Sequence, residues 1–163
     1  MLHKTEQGGV ALNIRHGRGL QKSFKDMNAD DYLIQEMVPG GVEVFIGGRV
    51  DREFGPVILF GLGGIFVEVY KDTALRVAPI DEPIAEEMIN EIKGSPLLKG
   101  FRGLKPADFQ VLVKTLVNIS NLILDHPEII NLDINPLIVL EKGKGCVAVD
   151  VKIQVRIPDT LFS

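Results

Sequence analysis

Apolar positions along this chain change their spacing several times, and each change marks a different kind of element. Val10, Leu12 and Ile14 alternate with polar residues behind the glycine-containing stretch His3-Lys4-Thr5-Glu6-Gln7-Gly8-Gly9, which predicts a loop running into a strand. From Arg15 to Asp31 the chain is polar, with Leu20 and Phe24 as anchors for a short helix. Tyr32 to Val38 reads as a buried strand stopped by Pro39-Gly40-Gly41, and Val42 to Val50 reads as the next strand. Asp51 to Pro56 turns the chain into a third strand, Val57 to Phe60. Gly61-Leu62-Gly63-Gly64 breaks that run, Ile65 to Val69 resumes it, and Thr73 to Ala78 closes an antiparallel series.

The period then becomes helical. Asp81 can cap a helix that has Pro83 in its first turn, Ile84, Met88, Ile89 and Ile92 on one stripe, and Gly94-Ser95-Pro96 at its end. A second helix starts near Pro106, carries Phe109, Leu112, Val113, Leu116, Ile119 and Ile123 on one face, and ends before His126-Pro127. Leu132 to Leu137 and Val147 to Asp150 then read as a hairpin joined by Glu141-Lys142-Gly143-Lys144-Gly145. Strands, two helices and strands again predict an α+β fold, a sheet with helices packed on one face.

Composition narrows the function. The chain has 163 residues, 45% of them hydrophobic and 25% charged, which is one domain's worth of globular material or two small lobes sharing a cleft. A formal net charge of −4, without a run of Lys or Arg, argues against nucleic acid as a partner. The one cysteine, Cys146, cannot form an internal disulfide; it reads as a small core residue and suits a reducing cytoplasm. No apolar run has the length of a membrane span, and no apolar signal core opens the chain. A soluble cytoplasmic protein is expected.

The candidate chemistry centres on the hairpin. Asn135 and Asp150 stand on its two strands, so a carboxamide and a carboxylate can point at one spot, as a hard cation such as Mg²⁺ requires. The plainer alternative is a turn-capping Asn and an edge Asp. Gly61-Leu62-Gly63-Gly64 offers bare backbone N–H groups to a phosphate. It lacks the Gly-Lys-Ser/Thr ending and the following helix of nucleotide loops, so a bulge or sheet crossing is favoured. Gln35-Glu36-Met37-Val38 can present a strand edge to a planar base, and Glu43 can take ribose hydroxyls or simply be solvated. Arg76 is a charge inside an apolar strand and needs a phosphate or carboxylate partner, an internal salt bridge being the simpler account. Arg102, between glycines, can reach a ligand or lie exposed. His3 has the chemistry of a phosphoryl acceptor, whereas His16 and His126 read as loop residues.

Taken in order, these segments resemble the ATP-grasp (beta) subunit of ADP-forming acyl-CoA synthetases, the acetate–CoA ligases (ADP-forming). The resemblance is carried by His3 to Val10, Gln35 to Val44, Phe54 to Glu68, Arg76-Val77-Ala78-Pro79, Arg102-Gly103, Pro127-Glu128-Ile129, Asp133 to Leu137 and Val149-Asp150. It implies an ATP-grasp fold, mainly the C-terminal subdomain with a mixed sheet, plus a reduced N-terminal lobe. The implied division is a lobe remnant with a phosphate loop at 1–31, the C-terminal subdomain at 32–158 and a tail at 159–163. Family members carry more chain before the position of Met1, including a strand with a nucleotide-contacting lysine, and a longer segment between Ile14 and Asp31.

The resemblance also assigns roles. Gln35, Glu36, Met37 and Val38 would contact adenine through their backbone, Glu43 the ribose, and Gly8 and Gly9 would belong to the loop over the phosphates. Asn135 and Asp150 match Mg²⁺-binding positions, His3 a phosphate-carrying histidine, and Arg76 would face phosphate. The implied reaction turns acyl-CoA, ADP and phosphate into acid, CoA and ATP through acyl phosphate and phosphohistidine. It needs an alpha-type partner with the CoA-binding and phosphohistidine domains. The competing expectation is a non-catalytic ATP-grasp remnant that serves as a binding or assembly module.

Overall fold

The computed structural model describes residues 9–27, 29–63 and 72–156 and divides into two units at the Pro39/Gly40 junction. In the first unit, helix α1 (Gly17–Met27) opens with the His16 Nδ1 accepting the Gly19 N–H at 3.1 Å. Leu20 and Phe24, the anchors read from the sequence, are among its half-buried positions, with Gly19, Ser23 and Met27. The Tyr32 ring lies 4.5 Å from that of Phe24, and its hydroxyl donates to the Phe24 carbonyl while accepting the Ala29 N–H. Tyr32 therefore packs with α1, within the unit that runs to Pro39.

Two predicted strands are absent here. Val10 to Ile14 and Tyr32 to Val38 have no regular structure, and Leu33 and Ile34 are 85% and 63% exposed. A strand exists only when a neighbour takes its backbone groups, and no ladder joins either segment among the described residues. Alternation in the sequence was a local signal without a partner.

The second unit is built on strands β1 (Val42–Asp51), β2 (Gly55–Leu62), β3 (Thr73–Val77), β4 (Ile129–Val139), β5 (Cys146–Ala148) and β6 (Val151–Val155). Their order is β3-β2-β1-β4-β5, with β6 also beside β4, and every pairing is antiparallel. The expected mixed sheet is thus corrected to an antiparallel one. A tight turn joins β1 to β2, β3 pairs antiparallel with β2, and the helical excursion returns the chain on the other side of β1, running against it. The first reversal is held by Asp51, whose Oδ1 accepts the N–H groups of Glu53 and Phe54. Those bonds keep its carboxyl below the usual carboxylate range.

Helices α2 (Glu82–Glu91), α3 (Ser95–Leu98) and α4 (Phe109–Asp125) cover one face. Asp81 caps α2 as predicted, its Oδ1 accepting the Ile84 N–H at 3.0 Å. The turn at Gly94-Ser95-Pro96 ends α2 but also starts α3, because both carboxylate oxygens of Asp72 take the Lys93 and Gly94 N–H groups at 2.8 Å. Val44, Ile46, Ile58, Phe60, Leu132 and Ile134 face Met88, Ile89, Leu112, Leu116 and Ile123 across the core. Each of these side chains contributes about 1.5–3 kcal/mol by leaving water, so the helix stripes read from the sequence hold this layer together. Cys146 packs against that core, its Sγ 3.5 Å from the Thr115 hydroxyl.

The glycine-rich stretch does not interrupt β2, which continues through Gly61 and Leu62. A Cβ on Gly61 would meet the Phe45 ring at 2.6 Å and the Asp72 carbonyl at 2.8 Å. A Cβ on Gly63 would meet the β1 backbone at 3.1–3.2 Å, and the Gly63 N–H donates to the Glu43 carbonyl at 2.8 Å. These glycines permit close backbone approach, the structural reading of the motif. Residues 65–69 lie outside the described residues.

Candidate metal and nucleotide site

Strand β4 carries an irregularity at Asn135-Pro136. Val44 pairs with Leu137 while Ile46 pairs with Ile134, so two steps on β1 face three on β4, the signature of a bulge. Proline has no N–H for the ladder and is tolerated at such a place. On the other side of β4, the edge strand is interrupted between β5 and β6 at Val149-Asp150. Bulge and break are matched: the Asn135 N–H donates to the Asp150 carbonyl at 3.0 Å, and the Val149 N–H to the Pro136 carbonyl at 3.0 Å. The hairpin predicted from the sequence therefore sets Asn135 directly opposite Asp150.

Strand alternation decides which face they use. Val44 and Ile134 are in the core, so their neighbours Glu43 and Asn135 lie on the face away from the helices. Register then defines rows across that face. Glu43 lines up with Ile138 and Val147, Phe45 with the bulge and the break, and Gly47 with Asp133 and Lys152. Glu43, Asn135 and Asp150 thus occupy adjacent rows of one surface, with the Phe45 row as the metal pair's own. Glu43 and Asp150 are exposed and Asn135 is half-buried.

The charges on this surface are arranged around Asp150. Its Oδ2 lies 3.2 Å from the Lys152 ammonium, and Lys152 faces Asp133 across the β4–β6 register. Asp133 and Lys152 are site neighbours that the sequence reading passed over, although Asp133-Ile134-Asn135 and Asp150-Val151-Lys152 both alternate polar and apolar. Among the described residues, no three His, Cys, Asp or Glu side chains converge on a metal position. The donor set at Asn135 and Asp150 is nevertheless all oxygen, which fits a hard cation that draws its other ligands from phosphate and water.

The remaining candidates scatter. Arg76 faces Ile58, a core residue, so its side chain is on the helix side, where its Nη2 lies 2.6 Å from Glu91 Oε2 and its Nη1 donates to the Leu75 carbonyl. Arg76 thus makes an internal salt bridge to α2, the simpler account of a charge in an apolar strand. Gln35, Glu36, Met37 and Val38 lie in the first unit, in the exposed segment without a ladder; Gly9 is exposed in the same unit. His3 and Gly8 lie outside the described residues. Arg102 adopts a positive φ of 47° and stacks its guanidinium 5.3 Å from the centre of the Phe101 ring.

Comparison with known proteins places this geometry in a family. The ATP-grasp domain profile matches residues 1–155. The beta subunit of acetate–CoA ligase (ADP-forming) I from Pyrococcus furiosus is 41% identical, over 94% of this chain and 70% of its own. The 4-hydroxybutyrate–CoA ligase (ADP-forming) of Nitrosopumilus maritimus is 43% identical, but this chain spans only 24% of it. Among solved structures, the dinucleotide forming acetyl-coenzyme A synthetase 1 of Candidatus Korarchaeum cryptofilum superposes with a TM-score of 0.85 at 40% identity. The match covers 95% of this chain and 71% of that one. That protein was solved with coenzyme A and Mg-AMPPCP, its phosphohistidine segment pointing towards the nucleotide-binding site. This chain belongs to the ATP-grasp domain family, in the group that contains the beta subunits of ADP-forming acetate–CoA ligases.

Proposed function

We propose that this chain is the nucleotide- and magnesium-binding component of an ADP-forming acyl-CoA synthetase, acetyl-CoA being the expected substrate. The observation that carries the reading is the Asn135–Asp150 backbone bond, which pairs a carboxamide and a carboxylate on the face away from the helices. Asn135 and Asp150 would hold Mg²⁺, Glu43 would take the ribose hydroxyls, and the backbone of Gln35 to Val38 would meet adenine. Among the described residues that segment joins no ladder, so its donors and acceptors would be open to a base. Gly8 and Gly9 would cover the phosphates, and His3 would carry the phosphoryl group between partner and nucleotide.

Bound at this pair, magnesium supplies charge neutralisation and orientation for phosphates, which phosphoryl transfer needs more than covalent help from the protein. The protein's own part is to fix two oxygen donors at the matched bulge and strand break of one sheet. CoA and the main phosphohistidine would come from an alpha-type subunit or domain, and the setting is the cytoplasm. Among the described residues no helix is long and apolar enough to cross a membrane.

Two measurements test this. Mn²⁺ and Mg·ADP binding is expected in the native chain and lost in Asp150→Asn; equal binding by a folded Asp150→Asn variant removes the metal assignment. With an alpha-type partner, acetyl-CoA, ADP and phosphate should yield ATP, and His3→Asn should stop it. No ATP from an assembled, nucleotide-binding complex would instead favour a binding or assembly module.

A further inference from the structure

Lys152 is placed where a cation is expected. Its ammonium lies 3.2 Å from Asp150 Oδ2, and the β4–β6 register pairs its backbone with that of Asp133, two residues from Asn135 on the same strand. It shares its face with them because residues 150, 152 and 154 alternate with Val151, Ile153 and Val155. Its side chain is 70% exposed, so nothing in the packing holds it in place; electrostatic attraction does.

Resting on the metal assignment above, we infer that Lys152 is an exchangeable counter-ion of the site, holding Asp150 when no metal is present and pairing with nucleotide phosphate once metal takes that carboxylate. The two cations compete for one oxygen pair. A divalent ion displaces a monovalent ammonium from Asp150, and the released ammonium meets a new anion in the phosphate bound to the same ion. A flexible four-carbon stem with a compact charge suits such a move better than a planar guanidinium, which is committed to one fork geometry. Lys152 is thus a positioning residue for the phosphate and a competitor for the bare metal.

These two roles give opposite signs in one variant. In Lys152→Met, Mn²⁺ alone should bind about two- to fivefold more tightly, since an exposed ion pair of this kind is worth at most about 1 kcal/mol. Mg·ADP should bind that variant more weakly by a similar factor or more, and Lys152→Arg should restore phosphate binding only in part. Manganese paramagnetic resonance reads the first quantity and titration calorimetry the second. A lysine that only supported the fold would weaken both. Equal shifts in the same direction, or no shift in either, overturn the inference. Asp150→Asn run in parallel separates the failures: unchanged Mn²⁺ binding there removes the metal site itself and the inference with it. Loss of Mn²⁺ in Asp150→Asn with no change in Lys152→Met removes only the role of Lys152.

Discussion

Asp108 is the residue whose removal should most disturb the hairpin carrying the candidate metal pair. It stands before α4 but makes no side-chain cap to that helix. Its Oδ2 instead accepts two N–H groups from the turn between β4 and β5, those of Gly143 and Gly145, each at 2.9 Å. Gly143 and Gly145 have φ of 83° and 81°, a conformation that turns both N–H groups toward the carboxylate. Backbone bonds from Asp108 N–H to Leu140 O and from Lys142 N–H to Pro106 O close the same junction. A hydrogen bond to a charged group contributes roughly 1.5–3 kcal/mol, so two give an upper limit near 6. They share one oxygen, and Gly143 is exposed enough for water to replace part of the loss. Asp108→Ala should therefore cost about 2–4 kcal/mol, and Asp108→Asn, which keeps an acceptor oxygen without the charge, about half as much. Urea unfolding followed by circular dichroism measures both, with the slope checked for constancy. Hydrogen exchange should show the Gly143 and Gly145 amides losing protection first. An Asp108→Ala variant within 0.5 kcal/mol of the parent, or Asn as costly as Ala, would refute the clasp.

Three further outcomes follow from single contacts. Ser120→Ala orphans the buried Ile80 N–H, now 3.0 Å from the Ser120 hydroxyl, and should cost about 1–3 kcal/mol in the same unfolding assay. Gly61→Ala drives a methyl into the Phe45 ring and the Asp72 carbonyl and should cost about 1–3 kcal/mol by overpacking, whereas Gly17→Ala, with open space around it, should not destabilise. The Glu141 carboxyl is held below the usual range by hydrogen bonds from Lys144 and then Lys105. A lowered carboxylate stabilises the fold above its unfolded value, and that contribution disappears as pH falls through the lowered one. Glu141→Gln should therefore flatten the acid side of the stability curve, and an unchanged acid side would rule the coupling out.

Much of the second unit was legible because its signals are periodic and mutually consistent. The stripes of α2 and α4, the Asp81 cap, strands β1 to β3 and the Glu141 to Gly145 turn all follow from side-chain spacing and turn chemistry. The motif order also identified the family. Asn135 and Asp150 could be paired because a hairpin with a glycine-containing turn makes neighbours of residues on its two arms. Tertiary structure decided what spacing leaves open. Whether Val10 to Ile14 and Tyr32 to Val38 become strands depends on a ladder partner, which a strand's own residues do not encode. The Arg76 side chain could have met phosphate or carboxylate; the β2–β3 register turned it to Glu91. Asp108 stands just before α4, yet the fold brings a turn more than thirty residues away to its oxygen. The sequence by itself determined the residues of the candidate clamp, and only the fold decided that a bulge and a strand break would meet there, with Lys152 beside them. Local chemistry is written along the chain, but a strand's register and an ion's partner are set by groups distant in sequence.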